Sequence, residues 1–112
     1  MQLVNNGATV FMGAGAARTA CIVHEGRRIE LNASPFTVGR QACNYVISSG
    51  KVSRTHLTVE KQNGVYYVKD ENSSNHTYLN DVMIPPYTFT PVRDGDTLRL
   101  GDAILTLEIP EE

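Results

Sequence analysis

A chain of 112 residues is long enough for one domain and too short for two. With 41% hydrophobic residues and no Trp, its core has to rest on Val, Ile, Leu, Phe and Tyr. A net charge of −2 excludes a general nucleic-acid binder, which needs a strong basic excess, and no apolar run is long enough to cross a membrane.

Residues 1–17 differ from the rest. Asn5-Asn6-Gly7 and Gly13-Ala14-Gly15-Ala16-Ala17 are small residues without an apolar period, which is linker composition. The domain is therefore expected over 18–110, preceded by a flexible tail over 1–17 from a longer protein. Strands are predicted over 19–24 and 27–31, joined by a turn at Glu25-Gly26. A short strand over 36–38 stops at Gly39. Residues 56–60 alternate, with Leu57 and Val59 facing one way and Thr58 and Glu60 the other. Asn63-Gly64 between two apolar runs is a strong hairpin signal. After it Val65, Tyr67 and Lys69 share one face, with Tyr66 and Val68 opposite. Strands over 77–79 and 82–84 bracket the turn Asn80-Asp81. Asp94-Gly95-Asp96 leads into a strand over 97–100, and Gly101-Asp102 turns into the last one, over 103–109.

Many β-branched residues, closely spaced turns and no helical period predict an all-β sandwich. It should comprise two antiparallel or mixed sheets with about 10–11 short strands. The long polar connections, 39–54 and 70–76, are where function is expected to sit.

Charge is unevenly spread. No acidic residue falls between Glu30 and Glu60, yet Arg40, Lys51 and Arg54 do. The acids collect later, from Asp70 to Asp102 and at Glu111-Glu112. A locally positive surface on a mildly acidic protein suits a small anionic ligand; chance clustering of solvated bases is the plain alternative.

Cys21 and Cys43 form no C-x-x-C pair, and Cys21 with His24 makes only a single C-x-x-H fragment. They are expected as free, buried thiols in a reducing cytoplasm, with no metal and no cofactor. No secretory signal is visible, so the Asn-x-Ser/Thr triplets at Asn32, Asn72 and Asn75 read as turn chemistry.

Taken singly, the polar residues have ordinary readings. Arg40 is a surface charge, Ser53 a turn hydroxyl, His56 a structural histidine and Asn75 a turn residue. Taken together they form a pattern. It runs through Phe36-Thr37-Val38-Gly39-Arg40, then Val52-Ser53-Arg54-Thr55-His56-Leu57. It continues in Asp70-Glu71-Asn72-Ser73-Ser74-Asn75-His76-Thr77-Tyr78-Leu79-Asn80 and ends in Asp94-Gly95-Asp96-Thr97-Leu98-Arg99-Leu100-Gly101. In order and spacing this resembles the forkhead-associated (FHA) family over about residues 18–109. It is similar to the C-terminal FHA domains of bacterial signalling proteins, where threonine kinases supply the ligand.

The resemblance implies an FHA-type β-sandwich that recognises phosphothreonine on a partner protein and is not an enzyme. It implies that Arg40 binds phosphate, that Ser53 donates its hydroxyl to a phosphate oxygen, and that Arg54 adds a neighbouring contact. Asn75, with Ser74 beside it, would bond the peptide backbone. His56 would brace the loop from beneath, and Gly39 would let it turn. The family usually places Gly after the asparagine; here His76 stands there, so it is a candidate modulator of binding.

The chemistry is consistent with those roles. Phosphothreonine carries about −1.5 to −2 charge and three acceptor oxygens. Such a group calls for a guanidinium fork, a hydroxyl and an amide converging from different loops. Two rival readings have their own sequence features. Ser53, His56 and Asp70 could make a hydrolase triad on paper, but no nucleophile-elbow motif surrounds the serine. An FHA-like domain that binds its partner without phosphate is favoured by His76 alone. The expectation is a monomeric, cytoplasmic domain with a phosphothreonine-containing protein partner, no nucleic acid and no membrane insertion.

Overall fold

The computed structural model describes residues 19–110; the tail expected over 1–17 lies outside the described residues. Strands follow the hydrophobic alternation. They are β1 (Cys21–His24), β2 (Arg27–Glu30), β3 (Phe36–Gly39), β4 (Tyr45–Val46), β5 (Leu57–Gln62), β6 (Val65–Asp70), β7 (Thr77–Leu79), β8 (Val82–Met83), β9 (Thr90–Val92), β10 (Thr97–Leu100) and β11 (Ala103–Glu108). They make a six-stranded sheet ordered β2-β1-β11-β10-β7-β8 and a five-stranded sheet ordered β4-β3-β5-β6-β9. All pairings are antiparallel except β3 with β4. This is the expected all-β sandwich with mixed strand directions.

The core lies between the sheets. Phe36, Val38, Leu57, Val59 and Val68 of the five-stranded sheet meet Ile22, Leu98, Leu100, Leu105 and Leu107 of the six-stranded one, all at most 2% exposed. Burial of such side chains, roughly 1.5–3 kcal/mol each, dominates the stability. Three hairpins have two-residue turns whose central residues both have positive φ: Glu25-Gly26, Asn63-Gly64 and Asn80-Asp81. That is the turn geometry matching the right-handed twist of the strands.

Two strands were not expected. β4 lies inside the predicted loop 39–54, where Val38 and Tyr45 pair in parallel and bury Tyr45 and Ile47. β9 carries Pro91 and occupies a sheet edge, the position where a strand tolerates a residue without an N–H. The cysteines are free but half-buried rather than buried. Cys21 and His24 are three apart on β1, so they point to opposite faces of the sheet.

The register brings the chemistry to one end. The loops after β3, before β5 and after β6, with the β10–β11 turn, are bonded or packed against one another there. At the other end, the later acids cap turns. Asp94 accepts the Ile109 N–H at 2.9 Å, and Asp96 accepts those of Arg93 and the Asn80 amide at 2.8 and 3.0 Å.

Candidate functional site

The backbone ladder continues past the end of β3. Arg40 N–H donates to the Ser53 carbonyl at 2.9 Å, Gln41 N–H to that of Arg54 at 3.2 Å, and His56 N–H to that of Val38 at 2.9 Å. This approach explains Gly39. A Cβ there would stand 2.1 Å from the Arg54 carbonyl oxygen and 2.9 Å from Cys43 Sγ, while the residue's own φ is not left-handed. The reason for glycine is space rather than freedom to turn.

The same contacts set Arg40. Its Nε donates to the Val52 carbonyl at 3.0 Å, which fixes the side chain and leaves the terminal nitrogens as a fork. Among the described residues no ion pair joins Arg40, Lys51 or Arg54 to a carboxylate. Lys51 lies close enough to Asp102 for its charge to favour that carboxylate, so Arg40 and Arg54 are the bases left without a nearby acid among the described residues.

Ser53 links two loops through its hydroxyl, whose oxygen accepts the Ser74 N–H at 3.1 Å. The hydroxyl proton is thereby left to donate elsewhere. Asn75 Nδ2 donates to the Lys51 carbonyl at 2.8 Å, keeping its carbonyl oxygen and a second N–H. That same Lys51 oxygen lies 2.4 Å from where a Cβ on Gly101 would sit, and Gly101 has φ +63°. Asn75, Lys51 and Gly101 therefore form one stack. Arg54, Ser74 and Asn75 are exposed, and Arg40 and Ser53 half-buried. No described hydrogen bond ties the Arg54 side chain to the other four.

Beneath the loops lies His56, fully buried. Its Nδ1 accepts the Ser53 N–H at 3.1 Å and its Nε2–H donates to the His76 carbonyl at 2.8 Å. One neutral tautomer satisfies both bonds. Burial pushes its pKa below the usual histidine range, opposed by the His76 hydrogen bond and the nearby Asp70 charge. With both ring nitrogens committed to backbone, and Ser53 met through its N–H rather than its Oγ, the paper triad has no general base.

Asp70 anchors the other loop, a role the sequence reading missed. Buried at 2% exposure, its carboxylate accepts the Ser73 N–H and hydroxyl and, at 2.7 Å, the Thr77 hydroxyl. The signal was present as Asp, Ser and Thr at positions 70, 73 and 77, since short polar side chains bond nearby backbone at such offsets. His76 adopts φ +64° and is exposed. The left-handed conformation that favours glycine is thus occupied by histidine, at a cost of about 1–2 kcal/mol. The loop is nonetheless held, through the His76 carbonyl.

A polar groove of about 390 Å³ is lined by His24, Tyr45, Ser49 and Asp102 among others. None of Arg40, Ser53, Arg54, Ser74 and Asn75 lines it. Ser49 Oγ donates to Asp102 at 2.7 Å and holds that carboxyl below the usual range.

A family model described as "FHA domain" matches residues 36–101. The E3 ubiquitin-protein ligase DMA2 of Saccharomyces cerevisiae is 45% identical over 62 residues, covering 50% of this chain and 12% of that protein. The solved structure of EmbR from Mycobacterium tuberculosis, in complex with a low-affinity phosphopeptide, superposes with a TM-score of 0.77 at 27% identity, covering 84% of this chain and 25% of that one. The N-terminal FHA domain of Rad53p from Saccharomyces cerevisiae, in complex with a phosphothreonine peptide, gives a TM-score of 0.75 over 83% of this chain and 94% of that one. At 19% identity it shows the shared fold alone. The chain spans a quarter or less of DMA2 and EmbR.

Proposed function

This chain belongs to the FHA domain family, and from that membership we propose that it binds phosphothreonine on a partner protein in Ser/Thr-kinase signalling. FHA domains are protein-interaction modules, and the reading here is recognition without catalysis. The observation that carries it is Arg40. Its guanidinium is anchored through Nε to the Val52 carbonyl and its main-chain N–H to that of Ser53, it has no carboxylate partner among the described residues, and it stands beside a hydroxyl whose proton is free to donate.

On this reading the Arg40 fork and the Ser53 hydroxyl take the phosphate oxygens, and Arg54 lends charge from the exposed rim. Asn75, with Ser74 beside it, takes the peptide backbone, offering both a donor and an acceptor. Phosphate alone would need no acceptor; a peptide does. The committed ring of His56 supports the non-catalytic reading, and the Lys51–Gly101 stack holds Asn75 in place.

Calorimetric titration of one peptide carrying phosphothreonine, phosphoserine or unmodified threonine tests this. Binding should require the phosphate and favour phosphothreonine, since one buried methyl contributes roughly 0.8 kcal/mol. Equal affinity for the unmodified peptide would mean that the domain recognises its partner without phosphate.

A further inference from the structure

On the outer face of the six-stranded sheet, away from the core, the register sets four side chains in one row. Ile104 lies opposite Arg99, Arg99 opposite Tyr78, and Tyr78 opposite Met83. Their strand neighbours Ala103, Leu105, Leu98, Leu100 and Thr77 are buried, so these four face outward. Ile104 is 56% exposed and Met83 53%. Between them the Arg99 guanidinium lies 4.1 Å from the Tyr78 ring centroid. Among the described residues Arg99 joins no ion pair.

Folding does not require this row. Outward positions on a one-sided antiparallel sheet are ordinarily polar, and two large apolar groups here bury little. Arginine and tyrosine flanked by apolar side chains are typical of binding hot spots. The ring contact holds the guanidinium in place, so little side-chain freedom is lost on docking. A cation covered by a partner without an acid would be costly; whatever covers this row has to bring a carboxylate to its middle.

We infer that this face docks an extended segment of a separate partner protein, one that presents a carboxylate between two apolar side chains. Three strand spacings separate Ile104 from Met83, about 14 Å at roughly 4.8 Å each. Residues four apart in an extended peptide span about 13 Å. The fitting pattern is therefore apolar-x-acid-x-apolar, laid across the strands.

Charge selects against the nearer occupants. A second copy laid row on row would oppose Arg99 to another Arg99, because a two-fold interface must complement itself and the row contains no carboxylate, while Glu108 on the same face is already engaged by Arg28. Residues 1–18 of this chain contain no Asp or Glu and cannot supply the acid. The row also differs from the loop site, so its occupant and a phosphopeptide would bind together.

The test uses the peptide acetyl-Thr-Leu-Thr-Asp-Thr-Leu-Thr-amide and its Lys-centred counterpart, titrated into methyl-labelled protein and followed by NMR. The Asp peptide should shift the Ile104 and Met83 methyl signals saturably and bind at least about fivefold tighter than the Lys peptide. Arg99→Glu should reverse that preference while a phosphothreonine peptide still titrates normally, which also shows the variant folded. Equal affinity of the two peptides for the wild-type protein, or shifts confined to other residues, would overturn the inference even if Arg99→Glu failed to fold. So would a concentration-dependent dimer in sedimentation velocity that Ile104→Lys abolishes, since a second copy would then own the face.

Discussion

The His56 ring and the His76 carbonyl meet at 2.8 Å, and with the bond from Ser53 N–H to the same ring they join loops 20 residues apart in sequence. A buried side chain thus fixes the spacing between the Ser53 hydroxyl and the Asn75 amide, the distance on which the proposed peptide recognition would depend. Truncating His56 to Ala should lower stability first, by about 1–3 kcal/mol, because two backbone groups lose their partners and a cavity opens. Thermal melts decide it: an unchanged melting curve with lost binding would place His56 in contact with ligand instead.

The lowered pKa of His56 has a signed consequence. In the unfolded chain the imidazole takes a proton as pH falls through about 6.5, whereas burial resists this in the native state. The unfolded state then binds more protons, so stability is full above about 6.5 and declines as pH falls toward the native value. Protonation would also turn Nδ1 from an acceptor into a donor facing the Ser53 N–H. Melting temperature measured from pH 7.5 to 5 should fall more steeply for wild type than for His56→Gln. Parallel curves would locate the pH dependence elsewhere.

Arg40→Ala should cost at least about tenfold in phosphothreonine-peptide affinity while leaving the fold in place. A hydrogen bond to a charged group is worth roughly 1.5–3 kcal/mol, which sets that minimum. Lysine should restore little, having no fork. Calorimetry showing full affinity in the alanine variant would remove Arg40 from the site.

Gly39→Ala should be more damaging than its size suggests. The new methyl would meet the Arg54 carbonyl oxygen at 2.1 Å, and neither β3 nor the bonded loop can yield cheaply. A loss of about 2–3 kcal/mol is expected by denaturant titration, together with weakened phosphopeptide binding. A stability loss below about 0.5 kcal/mol would show that the two segments separate readily.

For His76→Gly the expectation is a small effect on binding, within about half a decade or roughly 0.7 kcal/mol. The contact that positions the loop is a main-chain carbonyl, which glycine retains, and the left-handed φ is already adopted. A tenfold gain in affinity would identify the histidine side chain as an obstacle.

Much of this architecture was legible in the order of residue types. Glu25-Gly26, Asn63-Gly64 and Asn80-Asp81 announced hairpins because the backbone preference of two adjacent residues decides such turns locally. Arg40, Ser53 and Asn75 were legible as candidates only through the resemblance of the whole pattern to the FHA family, since each residue taken singly has an ordinary reading. β4 was not, since its parallel pairing with β3 depends on a partner strand rather than on its own two residues. β9 was hidden by Pro91, acceptable there only because β9 ended at a sheet edge.

The reasons for individual residues came from the tertiary structure. Gly39 is required by the Arg54 carbonyl, Gly101 by the Lys51 carbonyl, and Asn75 is held by that same Lys51 oxygen. Asp70, one more acid in the sequence, proved to be the buried anchor of a loop, while Asp94 and Asp96 cap turns at the far end. The sequence by itself determined which functional groups this protein carries and which short segments extend or turn, because those properties reside in side chains and local torsions. Which groups face each other was decided by folding, since the decisive partners are backbone atoms, identical at every residue and distinguishable only by where the chain puts them.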